Sequence, residues 1–502
     1  MLLVVTFIFL YLQTLLLQQV GQKIIKQIRM DIYTKMLSLP TRYYNENPVG
    51  ALLTRVTNDT ESLNEMYTNV ITSVFKNGMY IIGILVMMFS INVKITLCVI
   101  AVVPIVVSMT MIFQKYSRKA YRATRTYLTQ MNVFLSEHIM GMSLIQMFNR
   151  QDKTFDTMKN INADLLDAGL KEQASFMVYR PSLFAVSNLA IVMVLYLGSK
   201  EVLAGAMSVG TIVIMATYVK DFFTPIEQLA DVFNILQSAI AAGEKIFTVL
   251  DEENEIEDGN LVANEEFRGE IEFKNVWFAY KEEQWILKDV SFKIEAGQKV
   301  AFVGATGAGK TSILALIARY YDIQKGQILI DGKDIREYSL DSLRGAVGQV
   351  LQDVFMFTGD IERNITLGRD DIDVERAAKM VYANTFIDRL PNKYHQEVIE
   401  GGATLSTGER QLLSFARAVS GEPKIFILDE ATANIDTETE SVIAIALQNM
   451  MKGRTTIMVA HRLATIQHAD NIIVLDKGVV MESGNHNQLL EQKGIYWNLC
   501  NI

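Results

Sequence analysis

The sequence predicts an all-α polytopic transmembrane domain, with long helices extending into the cytoplasm, followed by an α/β P-loop nucleotide-binding domain. Three observations carry that expectation. Five apolar runs of roughly membrane-spanning length lie within the first 250 of 502 residues. From residue 251 onward, short apolar strands alternate with helix-forming stretches. In that second part the run Gly304-Ala305-Thr306-Gly307-Ala308-Gly309-Lys310-Thr311-Ser312 follows an apolar strand, Val300-Ala301-Phe302-Val303, and precedes a helix-forming stretch, Ile313-Leu314-Ala315-Leu316-Ile317. A phosphate-binding loop requires that setting.

The apolar runs cover residues 1–17, 74–90, 95–113 and 183–197, with a weaker one from Val209 toward Pro225. The second and third are separated only by the short turn Ile91-Asn92-Val93-Lys94. Residues 18–70 and 114–180 have helical periodicity and are rich in basic residues, among them Lys23, Lys26, Arg29, Lys115, Arg118 and Arg122. The connections near Lys94 and Lys200 are short and poor in them, so the positive-inside rule makes the long basic connections cytoplasmic. Five spans with a cytoplasmic C-terminal half would place Met1 outside. The first run lacks the basic n-region and small-residue cleavage site of a signal peptide. The expectation is therefore that one further N-terminal helix belongs before it. The acidic stretch 251–258 marks the boundary, giving a transmembrane domain over 1–250 and a nucleotide-binding domain over 251–502.

Half of the residues are hydrophobic and the net charge is −9, which excludes the basic excess of a nucleic-acid binder. Cys98 and Cys500 lie far apart and predict neither a disulfide framework nor a zinc site.

The glycines of the 304–312 loop let successive backbone N–H groups turn toward one anion, and the helix start adds its unpaired donors. Lys310 would reach the β- and γ-phosphates, and Thr311 would bind Mg²⁺. A second signal is Ile425-Phe426-Ile427-Leu428-Asp429-Glu430. It is a buried parallel strand with two carboxylates at its C-terminal end, where ligands sit in doubly wound sheets. Asp429 would hold magnesium, and Glu430 would polarise the attacking water as general base. Between the two motifs lies Leu405-Ser406-Thr407-Gly408-Glu409-Arg410-Gln411.

With these motifs the chain resembles the ATP-binding-cassette (ABC) exporters of the bacterial multidrug and lipid type along essentially its whole length. The resemblance makes Gly304, Thr306, Gly307, Ala308, Gly309, Lys310, Thr311 and Ser312 the Walker A loop and 425–430 the Walker B strand. It makes Tyr280 the aromatic that stacks on adenine. Gln352 matches the Q-loop glutamine, a ligand of Mg²⁺ and of the attacking water. Asp436 matches the D-loop and His461 the switch histidine at the γ-phosphate. Residues 397–402 look like the exporter-specific loop. The resemblance also implies that two cassettes close head to tail, with the signature residues Ser406, Thr407, Gly408 and Glu409 acting on ATP held by the partner.

Thr407 departs from the pattern, which has glycine there. An intact Glu430 beside an altered signature resembles one half of a heterodimer, so a second half-transporter is the expected partner. The alternative is a homodimer that tolerates threonine. Residues 42–50 with 55–59, and 149–153, resemble the segments that dock on the cassettes. Lys220 and Asp221 fall inside the last span and are expected to face a water-filled cavity, since each is costly against lipid. The implied activity is ATPase-driven efflux of a small amphipathic drug or lipid across the cell membrane, with ATP and Mg²⁺ as cofactors. Alternatives are a lipid or peptide exporter of the same architecture, or an ATP-binding regulatory or channel-like subunit. A soluble cassette protein is excluded by the five spans.

Overall fold

Helices that begin apolar and continue polar, or the reverse, dominate the first 250 residues. The computed structural model describes residues 1–253, 256–264, 266–281, 283–399, 401–429, 437–459 and 466–500. Two units result, one of Met1–Leu37 with Val49–Glu252, the other of Ser38–Pro48 with Glu253–Ile502.

Among the described residues of the first unit, five helices are long and apolar enough to cross a membrane. The longest, Gln151–Leu203, has 53 residues. At 1.5 Å per residue it reaches about 80 Å, far beyond a hydrocarbon core of about 30 Å. Apolar runs and adjoining basic residues therefore share single helices in Leu2–Ser38, Val103–Met140 and Gln151–Leu203, while the basic segments themselves are broken at 39–40, 47–48, 141 and 148–150. Four details differ from expectation. The turn between the second and third runs shrinks to Asn92, whose extended backbone and side chain cap the next helix by accepting from Ile95 N at 3.2 Å. The third run is interrupted after Val93–Ile100 and resumes as Val103–Met140, with Pro104 in its first turn, where a missing N–H costs nothing. The last helix passes through Pro225 and runs from Val209 to Leu250. Within 18–70 the helical path also widens into π turns at Arg55–Asp59 and Met66–Val70.

The second unit is α/β. Its strands are β1 (Ile271–Ala279), β2 (Trp285–Ile294), β3 (Lys299–Val303), β4 (Lys325–Ile330), β5 (Lys333–Asp334), β6 (Val347–Val350), β7 (Gly359–Asp360), β8 (Glu397–Val398), β9 (Ile425–Asp429), β10 (Thr455–Val459), β11 (Asn471–Asp476) and β12 (Val479–Gly484). Six form a sheet in the order β12-β11-β3-β10-β9-β6, parallel except at the β12 edge. Alternate side chains feed two cores. Val300, Phe302, Ile425 and Ile427 pack on one face, and Ala301, Val303, Phe426 and Leu428 on the other. A sheet buried on both faces needs such continuous apolar strands. A four-stranded antiparallel sheet, β2-β1-β4-β5, contributes Ile271, Phe273 and Phe278 to the first of these cores.

Candidate functional site

Because β3, β10, β9 and β6 are parallel neighbours, their C-terminal ends share one edge of the sheet. β10 lies between β3 and β9, with Val459 beside Phe302 on one side and Asp429 on the other. The glycine-rich loop leaves β3, Asp429 ends β9, and Leu351 and Gln352 follow β6.

The loop obeys steric rules set by its own chain. Gly304, Gly307 and Gly309 have φ of 151°, 83° and 102°. A Cβ on Gly304 would stand 2.2 Å from Leu475 O, and one on Gly309 would meet Leu287 Cδ2 at 2.7 Å. Gly309 caps the helix Lys310–Ile317. Lys310 is buried and folds back, donating from Nζ to Gly304 O at 2.7 Å and Ala305 O at 3.0 Å. A buried ammonium requires such partners, and phosphate oxygens could replace them. Ala308 and Ser312 are buried and support the loop, while Thr306, Gly307 and Thr311 are exposed.

Beside the loop is a cleft of about 920 Å³ that brings together Tyr280, Thr311, Gln349, Leu351 and Asp429. A hydroxyl and a carboxylate facing one cleft are the oxygen donors Mg²⁺ selects, so Thr311 and Asp429 fit that ion. Gln352 is exposed and not among the residues lining the cleft. Tyr280 bonds its hydroxyl to Ser312 Oγ at 3.0 Å and meets Tyr321 edge to face, centroids 5.0 Å apart. Burial pushes the Tyr280 phenol above its ordinary pKa, although the Ser312 bond opposes this, so the ring stays neutral.

The sequence reading missed Tyr320, Tyr321 and Gln349. Arg319 places the two tyrosines. It turns the chain after the helix with φ 48°, and its buried guanidinium donates to Glu257 O at 2.7 Å, Tyr338 O at 3.1 Å and Asp322 Oδ1 at 3.2 Å. Tyr320 then donates to Gln349 Oε1 at 2.8 Å, and Tyr321 accepts from Asn45 Nδ2 at 2.7 Å. Asn45 belongs to the short helix Thr41–Glu46, which lies in this unit and joins two membrane helices along the chain.

The signature residues start the helix Thr407–Ser420. Ser406 is the N-cap, its hydroxyl accepting from Glu409 N at 3.2 Å while Glu409 Oε2 accepts from Ser406 N at 2.8 Å. Ser406 and Thr407 are exposed, whereas Gly408 is buried. Glu430, Asp436 and His461 lie outside the described residues. In the first unit Lys220 is exposed and Asp221 half-buried, and neither lines the cavity described below.

Comparison with known proteins finds relatives of both units. Residues 1–226 match the ABC transporter transmembrane region and residues 287–433 the ABC transporter family. The chain is similar to the probable multidrug resistance ABC transporter ATP-binding/permease protein YheH of Bacillus subtilis, 38% identical over 508 residues, covering 100% of this chain and 75% of that protein. It is 35% identical over 500 residues to the fatty acid ABC transporter ATP-binding/permease protein of Mycobacterium tuberculosis, covering 98% of this chain and 78% of that one. A solved bacterial Atm1-family ABC exporter with ATP bound superposes with a TM-score of 0.83 at 28% identity, covering 98% of this chain and 87% of that chain.

Proposed function

We propose, since this chain belongs to the ATP-binding-cassette transporter family, that it expels a small amphipathic molecule, a drug or a lipid, by alternating access across the cytoplasmic membrane. The observation that carries this reading is the single cleft shared by Tyr280, Thr311 and Asp429, beside the Lys310 loop. Residues 1–250 form the pathway and residues 251–502 the ATPase.

Tyr280 stacks on adenine, which aromatic faces reward by about 1–3 kcal/mol per base. The loop amides and Lys310 hold the phosphates. Thr311 and Asp429 would hold Mg²⁺ in the cleft, and Gln352, which lies outside the cleft lining, would have to turn in from the loop after β6 to join them. When bound there, the ion would supply positive charge against that developing on the transferred phosphoryl group. Glu430 takes the proton of the attacking water, and His461 and Asp436 complete the site from the neighbouring loops. Ser406, Thr407, Gly408 and Glu409 meet the ATP of a partner half-transporter. The intact Glu430 together with Thr407 favours a heterodimer. The multidrug and fatty acid names of relatives at 35–38% identity support an amphipathic cargo.

The test uses inside-out vesicles carrying this chain and its partner. ATP-dependent uptake of an amphipathic dye is expected, and Glu430→Gln should lower ATPase and uptake by about 10²-fold or more, the usual contribution of a general base. Unchanged turnover in that variant overturns the reading. Full ATPase activity from the lone chain would overturn the heterodimer.

A further inference from the structure

The first unit contains a cavity of about 600 Å³, inside the range of roughly 300–1,000 Å³ typical of small-molecule sites. Two helices form its long walls. Phe113, Ser117, Arg118 and Tyr121 belong to Val103–Met140, at spacings that put them on one face. Phe176, Tyr179, Arg180 and Leu183 do the same on Gln151–Leu203. Gln237 and Ser238 of Val209–Leu250 add a polar edge.

The lining changes character along its length. Leu183 and Phe184 stand where an apolar run begins, and Phe113 stands where another ends. Phe113 stacks on Tyr179 with centroids 4.0 Å apart and planes 8° apart, and Phe176 meets it edge-on at 5.1 Å. Arg118 lies five residues past Phe113, about 7 Å further along the helix and outside the apolar run. Arg180 is adjacent to Tyr179. Pro181 follows it and cannot donate to the Met177 carbonyl one turn back, which loosens the helix beside the cavity.

Two arginines and one glutamate, Glu172, thus line the cavity together with its aromatic side chains. Neither Arg118 nor Arg180 makes a hydrogen bond or ion pair with another described residue. Their planar donor forks match carboxylate and phosphate oxygens.

We propose that this cavity binds an anionic amphiphile. A carboxylate or phosphate-monoester head sits between Arg118 and Arg180, and a hydrocarbon tail lies along Phe113, Tyr179, Leu183 and Phe184. The inference rests on reading the chain as an exporter of amphipathic molecules and names the charge of its cargo.

The test is displacement of the fluorescent fatty acid cis-parinarate from the full protein, with its partner, in nanodiscs. Oleate and monooleyl phosphate should displace it, oleylamine at least about tenfold less well, a gap of ~1.4 kcal/mol, and inorganic phosphate not at all. The double substitution R118Q/R180Q should raise the Kd for oleate by about tenfold or more. R118K/R180K should recover most of that loss, which separates charge from misfolding. Phe113→Ala should weaken oleate and oleylamine alike. Equal displacement by oleylamine, displacement by inorganic phosphate, or an unchanged oleate Kd in R118Q/R180Q overturns the proposal. If ATP-driven dye uptake persists while those arms fail, only this site is retired. If uptake is absent from the unmodified pair, the exporter reading itself falls.

Discussion

The glycine-rich loop at 304–312 and the signature loop at 405–411 both begin helices, yet they place opposite demands on their residues. In the first, glycine is required from within. Gly304 sits at φ 151° with no room for a Cβ against Leu475 O, and Lys310 and Ser312 tie the loop inward to carbonyls and to Tyr280. In the second, the helix start is self-sufficient. Ser406 and Glu409 form a reciprocal capping box, and Thr407 occupies the first helical position, where a negative φ suits any residue. Thr407 Oγ1 even accepts from Arg410 Nη2 at 3.3 Å. A glycine at 407 answers no need of this chain's own fold. Under the proposed function, the threonine therefore bears on the partner's nucleotide site rather than on this chain's folding.

The largest expected effect tests the inward half of that contrast. Gly304→Ala must displace backbone next to β11 or abandon its φ, so ATP binding by the purified protein should fall by more than about 10²-fold, with a loss of stability near the ~3 kcal/mol that backbone strain in a packed site produces. Retention of ordinary ATP affinity would show that the loop has slack the geometry denies. Thr407→Gly tests the outward half. Stability should drop by no more than ~1 kcal/mol, since glycine at a helix start costs little. On the proposed heterodimer, in which Thr407 weakens the partner's nucleotide site, ATPase activity of the assembled pair should rise severalfold. An unchanged rate would mean that Thr407 does not limit any site.

What the sequence reveals follows the same division. Strands β3 and β9 are legible because four consecutive apolar residues followed by glycine or carboxylate can be only a buried strand feeding a site. The glycine loop is legible because its residue types are compulsory. Tyr320 and Tyr321 are not, because an aromatic pair after an apolar helix reads as core. Only the Arg319 turn, fixed by carbonyls at Glu257 and Tyr338, aims them at the cleft. The π turns at Arg55–Asp59 and Met66–Val70 have no residue signature, since they shift hydrogen-bond register rather than side-chain pattern. The Arg118–Arg180 cavity is equally silent in one dimension. Arg118 and Arg180 are 62 residues apart in the chain and converge only when the helices pair.

The smallest expected effect concerns how far the inward wiring of the first loop extends. From Ser312 it passes through the Tyr280 hydroxyl and ring to the edge of Tyr321, and from the Tyr321 hydroxyl to Asn45 at 2.7 Å. Asn45 stands seven residues after Ser38, the last residue of the helix Leu2–Ser38, so under the proposed adenine role of Tyr280 this wiring would carry a change at the ring as far as Asn45. Tyr321→Phe keeps the ring contacts and deletes only the acceptor of the Asn45 bond. A neutral hydrogen bond is worth about 1 kcal/mol net, so the substitution should leave ATP affinity intact and reduce the stimulation of ATPase by transported compound by a few-fold at most. Asn45→Ala should reproduce that loss, and the double variant should add nothing, because both changes remove one bond. Additive losses would mean that Asn45 and Tyr321 act separately. The path from the glycine loop would then end at Tyr280, leaving the two loops less different than their local geometry implies.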